Sequence, residues 1–168
     1  KARNRLAFDE IFKFQANGLI RRKQLEEKSA PAIPVDRPEI NRFISSLPFK
    51  LTPGQTTAID QILSDINKSY PMNRLLQGDV GSGKTVVAAA AALSVIKAGF
   101  QVAFMVPTQI LADQHATTLT ELLKPFGVKI ALLTGAVSNS VFSIQYSVLN
   151  KPDLIIGTQA LIHKRANS

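Results

Sequence analysis

The octapeptide GDVGSGKT at residues 78–85 constrains this chain more than any other segment. It matches the pattern G-x-x-x-x-G-K-[ST], and it lies between the apolar pair Leu75 and Leu76 and a helix-length apolar stretch that ends before Gly99. Its glycines allow the backbone to turn back and direct several N–H groups at one point, where the N-terminus of the next helix adds partial positive charge. The pattern therefore predicts a strand, a phosphate-binding loop and a helix in succession.

Two side chains of this octapeptide carry the predicted chemistry of a nucleoside triphosphate site. Lys84 would neutralise the β- and γ-phosphates, and Thr85 would place its hydroxyl on Mg²⁺. Upstream, Gln55 opens a helix before the phosphate loop, and its amide offers both an acceptor and a donor, as the edge of adenine requires. We therefore expect ATP and Mg²⁺ to bind at Phe49, Gln55, Gly78, Asp79, Val80, Gly81, Ser82, Gly83, Lys84 and Thr85, with Lys84 and Thr85 in the catalytic role.

The chain from Phe49 onward alternates short apolar runs with helix-length segments, which is typical of a parallel sheet covered by helices. The predicted strands are Arg74–Gln77, Gln101–Val106, Val128–Leu133 and Leu154–Ile156. The predicted helices are Pro53–Ser69 with Thr52 as its cap, Thr85–Ala98, Gln109–Lys124 and Ser138–Leu149. The fold class is therefore α/β, a P-loop NTPase (RecA-like) sheet with flanking helices, here incomplete.

The first 48 residues differ in character from the rest, because they are more basic and contain a proline-rich stretch. Arg3–Lys28 predicts a helix with an apolar stripe, and the three prolines at 31, 34 and 38 predict extended chain before a short helix over Glu39–Leu47. We expect residues 1–48 to be a helical linker region and residues 49–168 to form the α/β unit.

Small hydroxyl residues and glycines follow three of the predicted strands. Loops at the carboxyl ends of parallel strands are where such sheets bind ligands, and hydroxyls with free backbone N–H groups suit phosphate oxygens without reading bases. Each pair alone could be ordinary helix capping, but three of them behind a phosphate loop favour a nucleic-acid backbone as partner. The residues are Thr108, Gln109, Thr134, Gly135, Gly157 and Thr158.

These motifs together resemble the RecG family of superfamily 2 DNA translocases, over essentially the whole chain. LTPGQ matches the family's Q motif, GDVGSGKT matches its motif I, and PTQILADQH matches its motif Ia. LLTG and IIGTQALI match its later DNA-contact motifs. The related transcription-repair coupling factors usually carry an aromatic residue where Ser82 stands and a cysteine where Gln77 stands, which favours the RecG family.

The resemblance implies an ATP-dependent DNA helicase that acts on branched or forked DNA in repair, recombination and stalled-fork remodelling, as a monomer in the bacterial cytoplasm. It also implies that the region of residues 1–48 joins a wedge domain to the motor, and that residues 49–168 are the N-terminal part of the first helicase domain, up to a point before its Walker B motif. His115 is assigned to helix packing or a polar contact and not to catalysis.

One departure from the family pattern concerns hydrolysis, which needs an acid at the end of an apolar strand. No apolar run after Thr85 closes with Asp-Glu, since Asp113 and Glu121 fall in a predicted helix and Asp153 precedes its strand. The chain stops at Ser168, before such a motif would appear, so we expect these 168 residues alone to bind ATP weakly and to hydrolyse almost none.

Composition excludes several other classes of function. With no cysteine and two histidines, the chain has no thiol chemistry and no His-rich metal cluster, and no apolar run approaches the ~20 residues of a membrane span. The net charge of +8 favours a polyanionic partner. The alternatives are a coupling-factor motor, or a P-loop motor or nucleotide-binding module that does not act on nucleic acid.

Overall fold

A computed structural model describes residues 2–133 and 151–158 of the chain. The predicted helix Ser138–Leu149 lies outside these residues. Five α-helices and three β-strands are present in the described ranges, together with a 3₁₀ turn at Lys124–Phe126 after the fifth helix. The helices are α1 Ala2–Glu26, α2 Arg37–Ser46, α3 Pro53–Ile66, α4 Lys84–Lys97 and α5 Gln109–Leu123, and the strands are β1 Val102–Met105, β2 Ile130–Leu133 and β3 Leu154–Gly157.

The helix boundaries follow local capping chemistry. The side chains of Asp36, Thr52 and Thr108 cap α2, α3 and α5, each accepting a hydrogen bond from a backbone N–H in the first turn. After α4, Gly99 adopts a φ of 87°, a left-handed conformation that ends a helix readily at glycine. These signals lie within a few residues of the elements that they delimit, so the predicted helices within the described ranges agree closely with the observed ones.

The three strands form a parallel sheet in the order β1-β3-β2. All four residues of the central strand β3 are buried, as expected for a strand covered on both faces. In the register of the sheet, Met105 of β1 and Leu133 of β2 both align with Gly157 of β3. The three strands therefore end at one edge of the sheet, as the α/β prediction requires.

The predicted strand Arg74–Gln77 is the one local prediction that the structure contradicts. Residues 71–79 have no regular secondary structure, and Leu75 is 85% exposed. A strand needs a neighbouring backbone for its hydrogen bonds. The sheet of the described residues comprises β1, β2 and β3, and this segment pairs with none of them.

Helix α2 packs into the same hydrophobic core as the helices that cover the sheet. Ile40 and Phe43 are fully buried, and the Phe43 ring meets the Phe126 ring edge-on with 5.7 Å between centroids. Lys97 Nζ links α4 to this layer, because it pairs with Glu39 Oε1 at 3.1 Å and donates to the backbone oxygen of Phe126 at 3.0 Å. The residues that follow the proline-rich stretch therefore fold with the sheet domain.

The extended segment before α2 also attaches to the core. The backbone N–H groups of Ala30 and Ile33 donate to the carbonyl oxygens of Ser69 and Ile66, and the Ile33 side chain is buried. By contrast, the large apolar side chains described in α1 are exposed, including Phe8 and Phe12, whose rings stack at 6.0 Å. No helix among the described residues is both long enough and apolar enough to cross a membrane.

Candidate functional site

The loop at residues 78–83 has the backbone geometry that the phosphate-binding pattern predicts. Gly81 and Gly83 have φ values of 80° and 79°, which lie in the left-handed region that glycine adopts at little cost. A Cβ at Gly78 would lie 2.7 Å from Ser82 Oγ, so that hydroxyl, which contacts Lys84 Nζ, would have to move. Residues 78–82 are exposed, so an anion can reach the loop from solvent.

The helix that follows the loop begins without a side-chain cap. Helix α4 has Gly83 at its N-cap position, whereas α2, α3 and α5 each carry a capping oxygen. The first N–H groups of a helix need an acceptor from outside the helix, and an anion can supply it. The loop and the start of α4 therefore fit a phosphate group, which would replace the missing cap.

The ammonium group of Lys84 lies over this loop. Its Nζ donates to the carbonyl oxygens of Gly78 and Asp79 at 2.8 and 2.7 Å and to Ser82 Oγ at 3.3 Å. All three acceptors are uncharged oxygens, so they do not neutralise the ammonium group. Thr85 follows in the first turn of α4 and is half-buried. Its hydroxyl oxygen is a ligand of the kind that suits Mg²⁺, and such ions also take ligands from the phosphates themselves.

Gln55 contacts the loop directly. Its Nε2 donates to the carbonyl oxygen of Ser82 at 2.9 Å, and its Oε1 accepts from the backbone N–H of Thr52 at 2.8 Å. Thr52 Oγ1 accepts in return from the Gln55 N–H, which completes a capping box at the start of α3. One amide proton and one lone pair of Gln55 remain for another partner, so the predicted contact with adenine stays a prediction.

Two other predicted nucleotide-binding residues have exposed side chains. Phe49 is 49% exposed, and Val80 is fully exposed at the tip of the loop. Asp79 contributes its backbone oxygen to Lys84, as described above. Phe49 stays a predicted nucleotide-binding residue, and an exposed aromatic ring is suited to contact a flat base.

The register of the sheet aligns two of the three predicted nucleic-acid loops. Val106 N donates to the carbonyl oxygen of Gly157 at 2.9 Å, so the chain leaving β1 runs beside the chain leaving β3. Thr108 and Gln109, which follow β1, are exposed, and Thr158, which follows β3, is half-buried. Thr108 Oγ1 caps α5 by accepting from the Leu111 N–H at 3.3 Å. Thr134 and Gly135 lie outside the described residues.

Two residues singled out in the sequence have structural partners. The His115 ring on α5 lies 5.1 Å from the Phe104 ring of β1, centroid to centroid, which agrees with the expected role in helix packing or a polar contact. Asp153 Oδ2 accepts from the backbone N–H of Lys129 at 2.8 Å and so connects the chain before β3 to the chain before β2. This carboxylate stabilises the amino end of the sheet, opposite the predicted ligand edge.

Sequence reasoning missed an ionic cluster that joins the end of α3 to the chain preceding the phosphate loop. Arg74 and Lys68 both donate to the carboxylate of Asp65 on α3. The hydrogen bond from Lys68, and then that from Arg74, hold the pKa of Asp65 below its ordinary value of 3.8, while desolvation acts in the opposite direction. The same hydrogen bond to Asp65, followed by one with Tyr70, raises the pKa of Lys68 above 10.5. No sequence signal beyond opposite charges close together in the chain pointed to this cluster.

Comparison with known proteins identifies the family. Residues 52–167 match the family model of the DEAD/DEAH box helicases. The ATP-dependent DNA helicase RecG of Aquifex aeolicus is 45% identical over 163 residues, which cover 96% of this chain and 21% of that protein. The ATP-dependent DNA helicase RecG of Thermotoga maritima is 46% identical over 166 residues, covering 98% of this chain and 21% of the relative.

A solved structure of RecG bound to a three-way DNA junction superposes on this chain with a TM-score of 0.86 at 46% identity. The match covers 97% of this chain and 23% of that one. The chain thus spans about a fifth of the length of the curated relatives that it matches. The chain belongs to the DEAD/DEAH box helicase family, within the branch that contains the RecG proteins.

Proposed function

We propose that this chain is the nucleotide-binding portion of an ATP-dependent DNA helicase that translocates on branched or forked DNA. The observation that carries the proposal is the phosphate loop itself, with two left-handed glycines, a positively charged Lys84 and an α4 N-terminus without a side-chain cap. RecG relatives at 45% and 46% identity supply the reaction class, and a RecG structure bound to a DNA junction supplies the class of partner. The setting would be a monomer in the bacterial cytoplasm that serves DNA repair and recombination.

The residues of the loop would each have a distinct task in binding ATP. Backbone N–H groups at the start of α4 would donate to phosphate oxygens, and Lys84 would exchange its bonds to loop carbonyls for bonds to the phosphates. Thr85 would bind Mg²⁺, which when present neutralises charge on the phosphate oxygens. Gln55 and Phe49 would contact the base, with Gln55 using the amide proton and lone pair that its protein partners leave unused.

DNA would contact the edge of the sheet where the strands end. Thr108, Gln109, Gly157 and Thr158 are the described members of the predicted set, and Thr134 and Gly135 complete it in the sequence. Hydroxyl and backbone N–H donors bind phosphate oxygens independently of base sequence. A translocase needs contacts of this kind, because it must accept every base as it moves.

The test of the nucleotide site uses Lys84→Met in the full-length protein. ATP affinity should fall at least about tenfold, because a charge-assisted hydrogen bond to phosphate is lost. Lys124→Met, a matched change in the turn after α5, should leave ATP affinity unchanged. Equal affinities for wild type and Lys84→Met would contradict the proposed site.

The test of the DNA partner measures binding to three-way-junction DNA as a function of salt. Affinity should fall as salt rises, with a slope of log affinity against log salt of roughly −0.9 for each phosphate that the protein neutralises on duplex DNA. A junction should also accelerate ATP hydrolysis by the full-length protein. Binding that is negligible at low salt, together with hydrolysis that DNA does not alter, would favour a P-loop protein that does not act on nucleic acid.

A further inference from the structure

Side chains from the end of α3 bind the segment of chain that leads into the phosphate loop. Arg74 donates from Nε and Nη2 to Asp65 Oδ2, at 2.8 and 2.5 Å, and from Nη1 to Gln61 Oε1 at 2.8 Å. Lys68 Nζ donates to the other carboxylate oxygen of Asp65 at 2.7 Å. Both oxygens of Asp65 and all three guanidinium nitrogens are therefore engaged. We call Asp65 and Arg74 the loop clamp.

The loop clamp holds a segment whose backbone has no regular secondary structure to fix its position. Arg74 precedes the first glycine of the loop, Gly78, in a segment that has no regular secondary structure. Leu75 beside it is exposed, while Leu76 packs partly against the core. The Arg74 side chain is 32% exposed and that of Asp65 is 20% exposed, so solvent screens this pair less than it screens an open surface pair. Within the described residues, these side-chain bonds and Leu76 attach the segment to the domain.

The N-terminal end of α3 contacts the phosphate loop itself. Gln55, in the first turn of α3, donates to the carbonyl oxygen of Ser82 at 2.9 Å. Gln55 and Asp65 lie on one continuous helix, and their positions in the sequence correspond to a separation of about 15 Å along its axis. One rigid element therefore fixes the chain at Arg74, before the loop, and at Ser82, inside the loop.

We propose that Asp65 and Arg74 are positioning residues for nucleotide binding, which hold the chain entering the phosphate loop against α3. The inference rests on the proposed function, since it concerns the same loop. A loop whose N–H groups already face one point binds phosphate with less loss of conformational entropy than a loop that must be ordered by the ligand. Loss of the clamp therefore weakens nucleotide binding by variants that remain folded.

The decisive experiment compares the clamp with a control ion pair on the same helix, in the full-length protein. Arg37 Nη1 pairs with Asp60 Oδ1, which connects α3 to α2 and not to the loop. The clamp variants are Arg74→Gln, Asp65→Asn and their double, and the control variants are Arg37→Gln and Asp60→Asn. Affinity for a non-hydrolysable ATP analogue is measured alongside the KM for ATP and kcat, and urea unfolding establishes that each variant is folded.

The clamp variants should each raise the dissociation constant and the KM for ATP about tenfold, with a smaller change in kcat. The loss of affinity in the double variant should be smaller than the sum of the two single losses, because both single changes remove the bond between Arg74 and Asp65. Arg74→Lys keeps one charge without the planar fork and should fall between wild type and Arg74→Gln. The control variants should bind nucleotide as wild type does.

Two outcomes would overturn the inference in distinguishable ways. Clamp variants that bind ATP with wild-type affinity, or that lose no more affinity than the Arg37 and Asp60 controls, would overturn the clamp alone. A wild-type protein that binds no ATP would overturn the proposed function and the clamp with it.

Discussion

The side chain of Gln55 joins two segments that are 27 residues apart, since its Nε2 donates to the carbonyl oxygen of Ser82 at 2.9 Å. Its Oε1 accepts from the Thr52 N–H at 2.8 Å, so one amide both caps α3 and holds the phosphate loop. The Gln55 side chain is therefore already hydrogen-bonded to protein groups before any base binds. This implies that changes at Gln55 affect the loop whether or not a base is bound.

Gln55→Ala should therefore weaken the binding of all nucleoside triphosphates, and not of ATP alone. Loss of the hydrogen bond from Gln55 to Ser82 weakens phosphate binding, which ATP and GTP share. Loss of a contact with adenine weakens the binding of ATP alone. We expect GTP affinity to fall by about threefold to tenfold, from the loss of one hydrogen bond to the loop, and ATP affinity to fall further. Titration of both nucleotides against the full-length protein measures the two effects.

Thr56→Ala is the matched control for this comparison, because Thr56 is the next residue and its hydroxyl donates within α3 to the Thr52 carbonyl oxygen. It should leave both affinities unchanged. A Gln55→Ala protein that loses affinity for ATP and none for GTP would show that the contact with Ser82 contributes nothing to binding.

Gly83→Ala should destabilise the fold for two separable reasons. The φ of 79° costs a residue with a Cβ about 1–2 kcal/mol. In addition, a Cβ at this position would overlap Nε2 of Gln55 and force that amide to move. We expect the free energy of unfolding, measured in urea, to fall by about 2–3 kcal/mol.

Gly99→Ala isolates the backbone contribution, since Gly99 has a φ of 87° and open space around the place of its Cβ. It should cost about 1–2 kcal/mol. In a Gln55→Ala background the cost of Gly83→Ala should approach that of Gly99→Ala, because the overlap is gone. An unchanged cost in that background would mean that backbone strain accounts for the whole effect.

The sequence allowed the local features of this fold to be predicted and left the non-local ones open. Thr52 as a cap and Gly99 as a stop are signals next to the helices that they delimit. The strand expected at Arg74–Gln77 was wrong because strand formation depends on a partner backbone elsewhere in the chain. The contact of Gln55 with Ser82 was missed for the same reason, since it depends on how α3 packs beside the loop.

The packing of α2 into the hydrophobic core could likewise not be predicted from local sequence patterns. Three prolines before it indicate extended chain, but they do not indicate what that chain packs against. Ile40→Val should lower the free energy of unfolding by about 1 kcal/mol, because the lost methylene leaves a small cavity beside fully buried neighbours. Urea unfolding of the chain checks this value.

The same substitution on α1 serves as the control for α2. Ile11 is 62% exposed, so Ile11→Val should change the free energy of unfolding by less than about 0.5 kcal/mol. Equal effects at the two positions would mean that α2 does not share the core of the sheet domain.

The lowered pKa of Asp65 predicts how the free energy of unfolding depends on pH. Hydrogen bonds from Lys68 and then Arg74 lower its pKa in the folded state below the ordinary 3.8, so its ionised form stabilises the fold. This stabilisation is complete above the pKa of the unfolded chain and is lost as pH falls through the folded value. The difference in free energy of unfolding between wild type and Asp65→Asn should therefore be constant near neutral pH and shrink from about pH 4 downward.

Lys68→Met sharpens this prediction, because it removes the hydrogen bond that lowers the pKa of Asp65 most. In the Lys68→Met background, the effect of Asp65→Asn on the free energy of unfolding should change less with pH. The change should also be complete at a higher pH, since the pKa of Asp65 in the folded state then lies closer to that of the unfolded chain. Urea unfolding at a series of pH values from neutral to acidic provides both curves. A difference that grows as the pH is lowered would have the wrong sign for a carboxylate stabilised in its ionised form, and it would show that Lys68 and Arg74 do not favour the charge on Asp65.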